Sequence, residues 1–541
     1  MHALTILYGG SLASQALEPV FNNQPALCLA IKQAAAFPGS EKIVLLAKND
    51  DFAGIPASFF KENNVSLLKK SAWTVSELLK NISESSAGFD FAYYAWADAP
   101  FLDPLLAGKI AERHTRFAAE YSYADGWPGG LGPELITSQS AGILYKIAGD
   151  DGLGPVKRDS LFAVLQKEIN AFDIETEIST EDLRHYRLSL TADSKRNLLL
   201  LERFAGAFAA EYKDAVHTAG YADSTARIIQ DHPDFLRTLP AFFPIQVSGP
   251  CPKNGKGSCP HCPYPKFSAK DRDVSQRTDF LELPAFSALL DKIEQFAGDA
   301  VIDLSLWGEI ALHPQREEII HAVLERPDLS LIIETSGYGW DGADLTKLAE
   351  KAAQAQERKN GLPPLSWIVS LSPADVPFHE TTGENEATTF VKKLASLFPR
   401  EKGKDSKVYA EAVRISGEED AIEHFYRSWK AFEAENPESA PSIIIQKYDS
   451  FCGFLPQKQA VDLSPIERRP CWHLLRDFPI LIDGTSFLCR EDVSDSNKTG
   501  NAIHEDLESL WKKGETLYLS HSKKEYQGPC KACDEYYTYN F

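Results

Sequence analysis

Seven of the chain's nine cysteines fall into two sets whose spacing could do chemistry. Cys251, Cys259 and Cys262 stand in SGPCPKNGKGSCPHCPYPKF, just after an apolar run, and Cys471, Cys489, Cys530 and Cys533 gather near the C-terminus. Three thiolates can hold an iron–sulfur cluster and leave one iron open to a ligand, whereas four can close around a cluster or a zinc ion. Taken alone, Cys259-Pro260-His261-Cys262 suits half a zinc site equally well, and four thiols with one Cys-x2-Cys pair suit a structural zinc. The difference in thiol count is the main clue to function.

Composition bounds what surrounds these sites. A length of 541 residues predicts three or four domains, at ~150 residues each. The 43% hydrophobic and 25% charged content is that of a globular protein. A formal charge of -21 repels phosphate backbones and anionic lipid, which argues against general nucleic-acid or membrane-surface binding. The opening MHALTILYGG has no basic n-region or long apolar core, and no apolar run is long enough to span a bilayer, so the expected location is cytoplasmic. In that compartment clustered cysteines point to metal or redox work rather than structural disulfides.

The elements that must position the thiols form two α/β series. In the first, Leu4–Tyr8, Lys42–Ala47 and Phe89–Ala95 read as buried strands between helix-like stretches, a doubly wound pattern. A polar helical stretch between Ala205 and Leu239 reads as a connector. The second series has strand candidates at Phe243–Val247, Val301–Leu306, Leu331–Glu334, Trp367–Leu371, Val408–Val413 and Ser442–Gln446, with a helical stretch between each pair. Steps of roughly 30–40 residues fit parallel strands with right-handed crossovers, a partial or complete barrel. The last ~90 residues lose this rhythm and read as a small domain that metal centres would staple. The expected division is residues 1–215, a connector 216–240, a barrel 241–450 and a cysteine-rich domain 451–541.

The first region resembles the cytidylyltransferase-like fold. WADAPFLDP looks like that family's strand-end acid motif, with Asp98 as the acid, and RLSLTADSKRNLLLLER resembles its late Arg-then-Asp signature. The glycine-rich opening GGSLASQALEPVF lacks the Arg and Lys that neutralise a triphosphate in the family, so the domain reads as degenerate. For Asp98 the alternative reading is a turn acid that starts a helix.

The three-cysteine loop and the strands after it resemble radical S-adenosylmethionine (radical SAM) enzymes. In that family three cysteines follow the first barrel strand, with an aromatic before the third, and His261 stands at that position. Seven residues separate Cys251 from Cys259 where three are common. LSLWGEIALHP stands where the family keeps a Gly-Gly-Glu-Pro strand end; Gly308 and Glu309 remain, while Trp307 and Ile310 replace the first Gly and the Pro. LIIETSG and WIVSLSPADVPFHETTG resemble the third and fourth strand ends, and the likeness implies that Ser370 and Ser372 lie near the AdoMet carboxylate and ribose. Arg414, after the fifth strand, could clamp a carboxylate bidentately or form a barrel-rim salt bridge. His313 in the strand-end loop reads as structural. The implied cofactors are S-adenosylmethionine and a [4Fe-4S] cluster on Cys251, Cys259 and Cys262, with an electron donor such as flavodoxin or ferredoxin.

The C-terminal set resembles the SPASM extension of radical SAM enzymes and, more closely, its shortened twitch form. Gly484, five residues before Cys489, matches the family's Cys…Gly-x4-Cys hairpin, and Gly-Asn followed by a short helix ending in Trp511 also fits. With Cys530-Lys531-Ala532-Cys533 this implies one auxiliary [4Fe-4S] cluster. Cys452 reads as either a fifth thiol near that site or a structural residue, and Cys28 as a core cysteine.

The whole resembles a spirochaete "spiro-SPASM"-like architecture: an α/β chain with a nucleotidyltransferase-like domain, a partial (β/α)6 radical SAM barrel and a twitch domain. The implied activity is reductive cleavage of AdoMet to a 5′-deoxyadenosyl radical that abstracts hydrogen from a substrate, either a peptide or protein or a sugar- or nucleotide-linked molecule. The competing readings are a sugar-nucleotide cytidylyltransferase-like protein and a zinc-stapled binding protein.

Overall fold

The computed structural model describes the whole chain except residues 22, 49–51, 53, 150–153, 212–219, 250, 252–260, 264–279, 359–360, 373–385, 402–405, 461–467, 494–495 and 535–541. Cys259, the insert before it, most of the loop after Ser372 and the aromatic tail therefore lie outside the described residues. The chain forms two compact units, Met1–Thr238 and Leu239–Phe541.

The first unit has strands Ala3–Gly9 (β1), Pro19–Phe21 (β2), Gln24–Pro25 (β3), Ser40–Lys48 (β4), Val65–Lys70 (β5), Phe91–Trp96 (β6), Tyr121–Asp125 (β7), Glu134–Ile136 (β8) and Ile174–Ile178 (β9). Seven of them make one sheet in the order β5-β4-β1-β6-β8-β7-β9, parallel except where β8 joins. Every residue of β1 is buried, as expected of a central strand with both faces covered. Leu4, Ile6 and Tyr8 point into one core with Leu78, Leu79 and Ile82 of the helix Val75–Ser85. Thr74 starts that helix with a capping box to Glu77, which supplies two of its otherwise unpaired N–H groups with acceptors. The helix Tyr221–Asp231, in the stretch read as a connector, belongs to this unit: Asp103 accepts the Ala222 N–H at 2.8 Å.

The second unit is built on Phe242–Pro244 (β10), Ala300–Asp303 (β11), Leu329–Thr335 (β12), Leu365–Leu371 (β13), Val408–Arg414 (β14) and Ser442–Lys447 (β15). These six strands pair in chain order and all in parallel. Helices Leu283–Ala297, Arg316–Leu324, Gly342–Gln354, Glu386–Leu397 and Glu419–Glu435 make the crossovers. Each helix lays an apolar stripe on the sheet; in the first, Phe286, Leu289, Leu290 and Ile293 recur at helical spacing and are fully buried.

The first strand is shorter than the run FPIQV predicts. Beyond Pro244, Ile245 N–H still donates to Asp303 O at 2.7 Å, while on the other edge Ile480 N–H donates to Pro244 O at 2.8 Å and Gln246 N–H donates to Ile480 O at 2.9 Å. A C-terminal segment thus lies along the outer edge of β10 and supplies its open hydrogen bonds. Phe478, Ile480, Leu510 and Trp511 enter the same apolar core as the barrel helices. Lys292 adds a polar tie, donating to the carbonyls of Ala502, Ile503 and Glu505 at 2.7–3.0 Å. The cysteine-rich end is therefore packed on the barrel within one unit. Among the described residues no helix is long and apolar enough to cross a membrane.

Candidate functional site

The carboxyl ends of the six parallel strands surround a cavity of about 420 Å³. Cys251, His261 and Cys262 line it from the loop after β10, and Trp307, Gly308 and Glu309 from the loop after β11. Cys259 lies outside the described residues, so the loop is represented by its first and last thiols.

Local sterics explain why the glycine is needed at 308. A Cβ there would stand 1.7 Å from Ser248 O, so the two loops touch backbone to backbone. Trp307 just before it has φ +51, the left-handed region that a side chain normally avoids. Gln246 holds this turn by donating to Trp307 O at 2.9 Å, and Trp307 packs beside Leu306, Leu481 and Phe487. Trp307 is thus accommodated by a left-handed turn held between the two loops.

Glu309 is buried and accepts three hydrogen bonds: from Thr335 Oγ1 at 2.6 Å, Ser336 N at 2.9 Å and Ser336 Oγ at 2.8 Å. Burial raises its pKa, and these donors oppose the shift. The bonds lock the β11 loop to the end of β12. Ser370 lines the cavity and donates to Glu411 Oε2 at 2.7 Å. Ser372 is exposed just past the end of β13. Arg414 closes β14, half-buried, within electrostatic reach of Glu419. His313 is buried and bridges two backbone groups, accepting from Gln315 N at 3.0 Å and meeting Leu281 O at 3.1 Å.

Sequence reasoning missed the inside of the barrel. Asp303, Glu334 and Glu411 lie on β11, β12 and β14 and line the same cavity. Burial first, and then the Glu334 charge, raises Asp303 to about 7 and Glu411 to about 8. Cations line the cavity too, each with its own acid: Arg476 with Asp477, Lys447 with Asp534, and Arg490 with Glu491 at 3.0 Å.

At the C-terminal end the hairpin expected around Gly484 is present. Thr485–Phe487 pairs antiparallel with Lys498–Asn501, and Gly484 has φ +83 with Asn501 packed where a Cβ would go. Five thiols sense one another here. The Cys452 thiol bonds Cys533 and feels Cys489; burial and then Cys533 raise Cys471; burial and then Cys471 raise Cys489. Burial and the Cys533 charge push Cys530 up to about 11. Cys452 is brought in by a turn in which Phe451 and Cys452 both have positive φ, with Ser450 tied to Asp534 at 3.4 Å. Among the described residues no three His, Cys, Asp or Glu side chains stand together at metal-holding distance. A metal ion bound here would have to replace the protons of these partly buried thiols.

In the first unit Asp98 and Asp193, from the two motifs quoted above, meet on one guanidinium. Arg158 donates to Asp98 at 2.7 and 3.3 Å and to Asp193 at 2.8 Å. The helix-starting acid is Asp103, which caps Pro104–Arg116 by accepting from Leu105 N and Leu106 N.

No protein-family model matches the chain. A protein of Treponema pallidum (strain Nichols), described as uncharacterized, is 33% identical over 390 residues, which cover 70% of this chain and 98% of the relative. The chain belongs to the family of that protein. A second T. pallidum protein of the same description is 34% identical over 70 residues, 13% of this chain and 32% of the relative. Similar solved structures include SuiB, BtrN and a cytidylyltransferase. SuiB of Streptococcus suis, bound to precursor peptide SuiA, is 14% identical and covers 74% of this chain and 84% of its own, with a TM-score of 0.39. BtrN, in complex with AdoMet and 2-DOIA, is 14% identical and covers 55% and 94%, with a TM-score of 0.34. A cytidylyltransferase of Leptospira borgpetersenii is 14% identical and covers 44% and 97%, with a TM-score of 0.35.

Proposed function

We propose that the unit Leu239–Phe541 is a radical SAM enzyme whose reaction takes place in the cavity at the strand ends. The observation that carries this reading is the meeting of Cys251, His261 and Cys262 with the Trp307-Gly308-Glu309 turn around one space. A zinc site needs no such cavity beside it, whereas a cluster that binds a cofactor does. Cys251, Cys259 and Cys262 would hold a [4Fe-4S] cluster, which would supply one-electron reduction for the cleavage of AdoMet.

The chain's own residues do the rest. The contact of Gly308 with Ser248 fixes the ridge beside the thiols. Glu309, held by Thr335 and Ser336, presents a rigid polar edge there. Ser370 and Glu411 offer polar groups further along the wall. Cys471, Cys489, Cys530 and Cys533 are assigned to one auxiliary cluster packed against the barrel. The substrate is a peptide or a glycan- or nucleotide-linked molecule. The first unit serves as a degenerate nucleotidyltransferase-like domain.

The test is anaerobic purification with iron and sulfide assay, followed by dithionite and AdoMet. Two clusters require about eight irons per chain, and 5′-deoxyadenosine must form. A colourless, zinc-loaded protein that leaves AdoMet intact would sink the proposal.

A further inference from the structure

The inside of this barrel departs from what a parallel barrel usually holds. Such interiors are filled by branched apolar side chains. Here the inward positions alternate apolar with acidic or polar: Ile332 then Glu334 on β12, Ile368 then Ser370 on β13, and Glu411 then Val413 on β14, all lining one cavity. Asp303 completes the set from β11.

Carboxylates in such a place are costly unless something pairs with them. Glu411 accepts a bond from Ser370 at 2.7 Å and shares a hydrogen bond with Glu334, and Asp303 Oδ2 receives one from Ser305 at 2.7 Å. Asp303 Oδ1 has no hydrogen-bond partner among the described residues, although Asp303 is only 1% exposed and lines the cavity. Arg490 reaches Asp303 and Glu334 electrostatically, but its ion pair is with Glu491 at 3.0 Å. Three inward acids thus share part of one guanidinium. Without a further cation the protein answers by holding protons on Asp303 and Glu411 well above the usual carboxylate range.

We propose that Asp303, Glu334 and Glu411 form a receptor for a protonated amine on the substrate. An ammonium group carries three N–H donors that can point to separate acceptors around a cavity, and it supplies the missing charge. The site is distinct from the ridge proposed for AdoMet: Glu309 lies in the loop beyond β11 with its oxygens taken by Thr335 and Ser336, while Glu411 lies three residues before the end of β14. This inference rests on the barrel being the catalytic unit only in calling the bound amine the substrate.

The experiment compares cyclohexylamine with cyclohexanol, near-isosteres that differ in charge, by ligand-observed NMR titration of the full-length protein at pH 7. Wild type is expected to bind the amine at least about tenfold more tightly, the scale of charge-assisted over neutral hydrogen bonds. The preference should fall by about that factor in Asp303→Asn and in Glu411→Gln, each checked for folding by circular dichroism, and should persist with AdoMet at saturation. Equal binding of the two probes by wild type, retention of the preference in both variants, or displacement of the amine by AdoMet would overturn the inference. Equal binding of the two probes by wild type that still forms 5′-deoxyadenosine defeats the receptor alone. A retained preference without AdoMet cleavage defeats the enzyme reading alone.

Discussion

Both units bury carboxylates at strand ends, and they treat them in opposite ways. In the first, Asp98 meets its own guanidinium: Arg158 spans Asp98 and Asp193, stacks on Trp96 at 4.4 Å from the ring centre, and Asn197 and Thr191 add bonds to Asp193. Arg158 thus pairs both acids directly, although burial still raises Asp98. In the second, Asp303, Glu334 and Glu411 share part of Arg490 and surround a cavity of about 420 Å³. A satisfied ion pair acts as structure, whereas acids short of cations around an empty volume act as a binding site.

Four perturbations test this contrast, starting with the largest effect. Cys251→Ala and Cys262→Ala should each lower 5′-deoxyadenosine formation by more than about a hundredfold, beyond the range typical of groups that merely support a metal ligand. The readout is product quantified by chromatography after dithionite reduction; activity near wild type in either variant would remove the thiols from the chemistry. Gly308→Ala should destabilise the second unit by about 3 kcal/mol, because its methyl would collide with Ser248 O and backbone cannot yield cheaply. The drop is read from the urea midpoint of that unit, and an unchanged midpoint would contradict the close loop contact.

Arg158→Met tests the first unit. Removing one partner of a buried pair costs 3–5 kcal/mol. Because Arg158 is 36% exposed, solvent reduces the expected loss to about 2 kcal/mol. Adding Asp98→Asn should restore part of it; no recovery in the double variant would show that the loss came from packing over Trp96.

The smallest effect is a pH dependence. Asp303 and Glu411 are raised in the folded chain to about 7 and about 8, above their ordinary values near 4. The folded state therefore binds more protons than the unfolded one between those limits, and the contribution is present at acid pH and lost as pH rises through 7 to 8. The stability of Glu411→Gln relative to wild type should therefore increase between about pH 5 and pH 8. A difference that stays flat over that window, measured by urea titration, would show that Glu411 does not hold its proton into the neutral range.

Much of the barrel was legible in the sequence because apolar runs and helical stripes alternate at regular intervals, and each predicted strand of the second unit has a counterpart. The misjudged ends have long-range causes. FPIQV keeps its tie to β11 only as far as Ile245, whose N–H donates to Asp303 O, and Gln246 donates instead to Ile480, more than two hundred residues away. Val301–Leu306 stops at Asp303, whose carboxylate accepts from Ser305 and turns the chain. The acids were hidden for a related reason. A single Glu in VYAEAVR or LIIET looks like a strand irregularity until the pairing of all six strands places it inward. The alternation of Ile332 with Glu334 and of Ile368 with Ser370 was the available signal. Cys452 could be noticed but not placed, since its approach to Cys533 depends on a left-handed turn and on Asp534.

The proposed open coordination position is tested most directly by electron paramagnetic resonance of the dithionite-reduced, anaerobic protein with and without AdoMet. With Cys471→Ala and Cys489→Ala removing the other centre, AdoMet should still shift the remaining cluster signal. In Cys251→Ala and Cys262→Ala, any signal left should ignore AdoMet. A signal indifferent to AdoMet in the protein with Cys251, Cys259 and Cys262 intact, or no cluster signal there at all, would contradict the account.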